Sequence, residues 1–206
     1  MTYAALHQKM EVPMYQLQRL LSGLPRNTAV YENQWHKMAM ACDLLAKSEC
    51  RFVQLDAHWW PGTSEQIGHL RTVFRTYSCP DLLIIDELRH IEYGAAESTW
   101  DAEEYAWFCR SLRALAEEFG IPVIVFANWP RVCEKRENNH PSCRDFYVTA
   151  LSRQSFDTVL FLHREAYYDP EADNTLEVIV AKSPLGNKET CRLNYHWQLG
   201  YLDEQR

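Results

Sequence analysis

Pro80-Asp81-Leu82-Leu83-Ile84-Ile85-Asp86-Glu87 is a short apolar run that ends abruptly in two carboxylates. A strand wetted on one face alternates apolar with polar residues, whereas an unbroken apolar run fits a parallel strand covered on both faces. Acids at the carboxyl end of such a strand stand where open α/β sheets hold their ligands. Working outward, Ile121 to Phe126 is a second wholly apolar run, again followed by a polar residue, Asn128. Upstream, Arg51 to Asp56 reads as a strand, and Thr2 to Leu6 as a short one that begins almost at residue one. Helices fall between these strands. Thr63 and Gln66 are spaced as a capping box, after which Ile67, Leu70, Phe74 and Tyr77 share one face. Trp100 to Phe119 carries the stripe Tyr105, Phe108, Cys109, Leu112, Leu115, Ala116 and Phe119, with Gly120 placed to end it.

The flanks complete the pattern. Pro13 suits the first turn of a helix reaching about Leu21 and closed by Gly23 and Pro25. Tyr31 to Lys47 repeats apolar residues at Tyr31, Trp35, Met38, Cys42 and Leu45. Asp157 to Leu162, Leu176 to Ala181 and Thr190 to Tyr195 read as strands, separated by turn formers at Asp169-Pro170 and Leu185-Gly186-Asn187. Strands and helices alternate and then give way to strands alone, which predicts an α/β sheet, parallel in its centre and antiparallel at one edge.

Composition sets the outer bounds. The chain has 206 residues, nearly half of them hydrophobic, which suits a single domain with a substantial core. Its net charge of −7 argues against a simple duplex-binding module, which is usually basic. The seven cysteines are odd in number, scattered and without C-x-x-C, the usage of a reducing cytosol. Cys133, His140 and Cys143 fall together in the polar segment Trp129 to Asp145, but zinc would need a fourth ligand and tighter spacing. Ordinary reduced thiols are the better reading. There is no signal-peptide pattern, and no apolar stretch approaches the roughly 20 residues of a membrane helix. A cytoplasmic protein is expected.

Taken in order, the motifs resemble the DnaB-type replicative helicases, whose carboxy-terminal domain is a RecA-like ATPase. Phe52-Val53-Gln54-Leu55-Asp56 and Thr63 to Leu70 resemble the family's "YIDD … ELR", and Asp81 to Leu88 its "DLIVIDYLQ". Ser111 to Ala116 resembles "SLKALA". Asn128-Trp129-Pro130-Arg131 … Glu134-Lys135-Arg136 resembles "QLNR … E-x-R". Asp157 to Glu165 resembles "DADVVMFIYRDE", with Tyr167-Tyr168 following, and Val180-Ala181-Lys182 … Gly186 resembles "AKQRNG". The resemblance covers Met14 to Asp203. It implies a RecA-like P-loop NTPase sheet, ATP and Mg²⁺ as ligands, and six copies in a ring around single-stranded DNA.

Carried over residue by residue, the resemblance makes Asp86 the residue that holds Mg²⁺ beside the nucleotide phosphates. Asp86 also reads as a plain strand-end cap. Glu87 stands where the family has Tyr. It reads either as the base that polarises the attacking water or as a solvated side chain. The family's own base follows its second core strand, where this chain offers only Glu11. Asn128 replaces a phosphate-sensing Gln and reaches one methylene less. Lys182 matches the first of two basic residues that reach a neighbour's ATP, while the second, an Arg in the family, falls at Pro184. Arg131, Lys135 and Arg136 are candidates for contact with DNA phosphates, or a solvated mixed-charge loop. The family's DNA loop "DLRESG" appears as Asp145 to Ala150 without its central charged residues.

No G-x-x-x-x-G-K-[ST] occurs in the chain, so the phosphate cradle and the strand before it are not within it. The expectation is one RecA-like domain over 1–206 that is incomplete at its amino end. It is either a helicase segment without turnover by itself or a binding or regulatory partner of an active ring helicase. Hydrophobic faces beside the absent strand should be uncovered.

Overall fold

A computed structural model describes residues 2–5, 11–26, 28–54, 63–86, 102–127, 139–142, 154–186 and 188–205. These residues form two compact units.

The first unit holds the apolar runs. Strands β1 (Thr2–Ala5), β2 (Arg51–Gln54), β3 (Leu83–Asp86) and β4 (Val123–Val125) form a parallel sheet in the order β2-β1-β3-β4. Parallel neighbours need crossovers. Two of these are helices α3 (Thr63–Tyr77) and α4 (Ala102–Phe119). The core lies where they meet the sheet. Ile67, Leu70, Val73 and Phe74 of α3 pack with Phe108, Cys109, Leu112 and Leu115 of α4 and with Leu83 and Ile85 of β3. Burial lifts the Cys109 thiol to about 12, against a weak opposing pull from Arg110. Tyr77 closes the expected α3 stripe but, as the last residue of the helix, is exposed. At the surface, Arg71 Nε and Arg75 Nη2 each donate to Glu118 at 2.8 Å, and the Arg71 bond above all lowers the Glu118 pKa.

The second unit holds helices α1 (Glu11–Ser22, from Met14 onward) and α2 (Trp35–Lys47), the latter entered through a 3₁₀ turn at Glu32–Gln34. Its sheet is antiparallel, β5 (Val159–His163), β6 (Thr175–Lys182), β7 (Thr190–His196) and β8 (Tyr201–Glu204) in sequential order. Arg19, 1% exposed, turns its guanidinium back on the chain that leaves α1. It donates to the carbonyls of Pro25 and Thr28 and to Thr28 Oγ1.

Both α1 and α4 stop on a glycine at φ +65°, Gly23 and Gly120. Beyond each, an amide reaches back to the carbonyl five residues earlier, Leu24 to Arg19 and Ile121 to Ala116, both at 3.0 Å. This double-turn closure is the one Gly120 predicts.

Among the described residues the amino-terminal strands are parallel and the carboxy-terminal ones antiparallel, four in each sheet, as the α/β expectation had it. Among the described residues, β3 is the only partner of β4 and β6 the only partner of β5. Ile124 and Phe126 on or next to β4 are 45% and 46% exposed, and Leu160 and Leu162 of β5 are 52% and 58% exposed. No described helix is long and apolar enough to cross a membrane. Among the described cysteines, Cys42, Cys50, Cys79, Cys109 and Cys191 are in no disulfide.

Candidate nucleotide-binding rim

The rim is made by strand direction. Because β1, β3 and β4 run parallel with Ala5 opposite Asp86 and Val125 opposite Ile85, their carboxyl ends emerge along one side of the sheet. The Phe126 amide donates to the Ile85 carbonyl at 2.9 Å and carries that register past the end of β4. Asp86 is the last residue of β3 and is half-buried, while Leu83 and Ile85 of the same strand have no exposed surface. The buried run thus anchors the strand, and the acid follows at its mouth. A carboxylate placed there offers two oxygens to a hard cation, directly or through water.

Glu11 is the first residue of α1, the element that follows β1 in the chain. Lys182 ends β6 opposite Val159, in the second unit. Glu87, Asn128, Arg131, Lys135, Arg136, Cys133, Cys143 and 145–150 lie outside the described residues. The structure therefore assigns Asp86 to a strand end at the sheet rim, Glu11 to a helix start and Lys182 to a strand end in the second unit. A grouping not anticipated from the sequence lies in the second unit. His140, His163 and Glu177 offer ligand atoms that all fall within 4.8 Å of one another. Local spacing points to His140 with two cysteines instead, since 140, 163 and 177 are far apart in the chain.

The comparisons with known proteins agree with this architecture. The family model described as the DnaB-like helicase C terminal domain matches residues 4–203. The replicative DNA helicase DnaB of Geobacillus stearothermophilus is 33% identical over 116 residues, which is 55% of this chain and 26% of that protein. Its counterpart in Buchnera aphidicola subsp. Acyrthosiphon pisum is 26% identical over 200 residues, 91% of this chain and 43% of that one. This chain thus spans less than half the length of either relative. Among solved structures, one described as an ATPase domain superposes over the whole of this chain and 74% of its own, with a TM-score of 0.82 at 21% identity. A DnaB-like replicative helicase described with its interactions with primase gives 0.81 at 22% identity, over the whole chain and 51% of its own. The fold is that of the RecA-like helicase ATPase domains, and the chain belongs to the DnaB-like helicase C-terminal domain family.

Proposed function

We propose that this chain is the Mg²⁺-holding and subunit-coupling part of one DnaB-like ATPase domain, and that it acts in DNA replication on single-stranded DNA within a hexameric ring. The observation that carries this reading is Asp86 at the mouth of a buried parallel strand, on the rim where strands β1 and β4 also end. When bound, ATP with Mg²⁺ would supply the phosphoryl group whose transfer drives movement. Asp86 would hold the cation, and Glu87 or Glu11 would be the carboxylate available to take a proton from water. Asn128 would offer a hydrogen bond to the terminal phosphate, and Lys182 would offer positive charge to a neighbour's site. Arg131, Lys135 and Arg136 would supply contacts to DNA phosphates. The residues present fit the cation better than the triphosphate, because a carboxylate stands at the rim while the sequence has no glycine-lysine phosphate loop.

Turnover accordingly needs a phosphate loop from outside these 206 residues. Steady-state phosphate release by the chain alone, with ATP, Mg²⁺ and single-stranded DNA, should stay at background. Release above background that Asp86→Ala abolishes would show a complete site and overturn this reading. A second reading is favoured by Pro184, which stands where the family has a trans-acting Arg. Such an Arg contributes roughly 10³–10⁵ in rate in other phosphoryl-transfer systems. Without it, the chain serves as a non-catalytic partner of an active ring helicase. Co-sedimentation with a ring helicase, without added phosphate release, distinguishes that role.

A further inference from the structure

We propose that His140, His163 and Glu177 form a binding site for a divalent transition metal of the zinc class, separate from the Mg²⁺ expected at Asp86. Their ligand atoms lie within 4.8 Å of one another, and all three residues belong to the second unit. Four-coordinate zinc with bonds of about 2.0–2.1 Å places its donors about 3.3 Å apart. One pair already has that spacing, since His140 Nε2 lies 3.3 Å from Glu177 Oε2. The two imidazoles face each other with ring centroids 4.2 Å apart and planes at 34°. His140 has half its side chain in solvent and can make the remaining adjustment, whereas His163 is held inside β5 with 4% of its side chain exposed.

The surroundings select the ion. Arg192 Nε holds Glu177 Oε1 at 3.1 Å, which leaves Oε2 as a single oxygen donor. Glu165 Oε2 lies 3.1 Å from His163 Nε2, the kind of carboxylate partner that orients a metal-binding imidazole. Tyr168 stacks on His163 with ring centroids 5.8 Å apart. The residues open onto a cleft of about 340 Å³ that also carries Asp173, so three carboxylates face one guanidinium there. Two imidazoles and one carboxylate suit Zn²⁺, Co²⁺, Ni²⁺ or Cu²⁺, while Mg²⁺ and Ca²⁺ prefer oxygen. Three protein donors leave one position for water. The ligand on β5 is also a departure from the family motif, in which "YRDE" has Tyr where this chain has His163. A bound metal would tie residues 139–142 to β5 and β6.

The test is a titration of the whole chain, freed of metal by chelation, with Co²⁺, followed by displacement with Zn²⁺. One equivalent of Co²⁺ should give the visible absorption of a tetrahedral nitrogen and oxygen site, unaffected by excess Mg²⁺. Because His140 is exposed, His140→Ala should fold normally and weaken binding about tenfold or more, with Glu177→Gln doing the same. The Cys133→Ser/Cys143→Ser double variant should bind as the parent does. Absence of the spectrum, binding that survives His140→Ala, or binding lost in the double cysteine variant overturns the site.

Discussion

Among single residues, Cys109 and Glu118 show how surroundings set chemistry. Cys109 sits 1% exposed in the core with its thiol raised to about 12, chiefly by desolvation. The thiolate is the reactive form, so under native conditions Cys109 should resist a thiol reagent that labels exposed Cys42, Cys79 and Cys191. Mass-spectrometric mapping of labelled peptides checks this, and labelling should appear when urea unfolds the chain. Because the folded pKa lies above the unfolded one, the stability tied to this thiol is complete below the unfolded value of about 8.5. It declines as pH rises from there toward 12. Glu118 has the opposite sign. Hydrogen bonds from Arg71 first and Arg75 second hold its pKa down, so its contribution is present above the unfolded value of about 4.3 and fades as pH falls through the lowered one. Urea midpoints of the parent and Glu118→Gln should differ slightly at pH 7 and converge in acid, the gap being small because solvent screens a surface pair.

At the scale of elements, turns decide more than their length suggests. Gly200 links β7 to β8 at φ +77°, and a Cβ there would collide with the Arg26 guanidinium. Gly23 has a similar φ but open space around it. Both Gly→Ala changes should carry the left-handed backbone cost of about 1–2 kcal/mol. The atoms met at Gly200 belong to the end of a flexible side chain that can swing aside, so the two losses should be similar; urea unfolding of the parent and the two variants measures this. Not every element announces itself in the sequence. The rim at Asp86 was legible because an apolar run broken by acid has few other meanings. Strand β8 was not, since all four of its residues are exposed and no alternation marks it, Gly200 being the one local sign. The stripe expected on α2 was half wrong. Met38 and Ala41 are buried, but Tyr31, Trp35 and Cys42 are exposed, because apolar residues surround that helix and periodicity cannot choose between its faces. His163 and Glu177 escaped because only strand pairing unites them, with His163 directly opposite Glu177 in the β5–β6 register.

For the whole molecule, an acidic chain is proposed to hold a polyanion, which requires local basic contacts rather than overall charge. If Arg131, Lys135 and Arg136 meet phosphates, replacing all three with Ala should weaken single-stranded DNA binding by the assembled protein. It should also flatten the dependence of log affinity on log salt by about 2, at about 0.7 per contact. Fluorescence anisotropy at several salt concentrations measures both effects, and an unchanged slope would remove these residues from the interface. The division into two units carries one more consequence. Residues 14–48 belong with 157–206, and the Arg26 amide bonds the Gln198 carbonyl at 2.9 Å. At a synthesis rate of about 5–20 residues per second, α1 and α2 leave the ribosome on the order of ten seconds or more before their companion strands exist. Nascent chains must therefore shelter two unfinished helices until residues 157–206 have been synthesised, and that unit can mature only from then on.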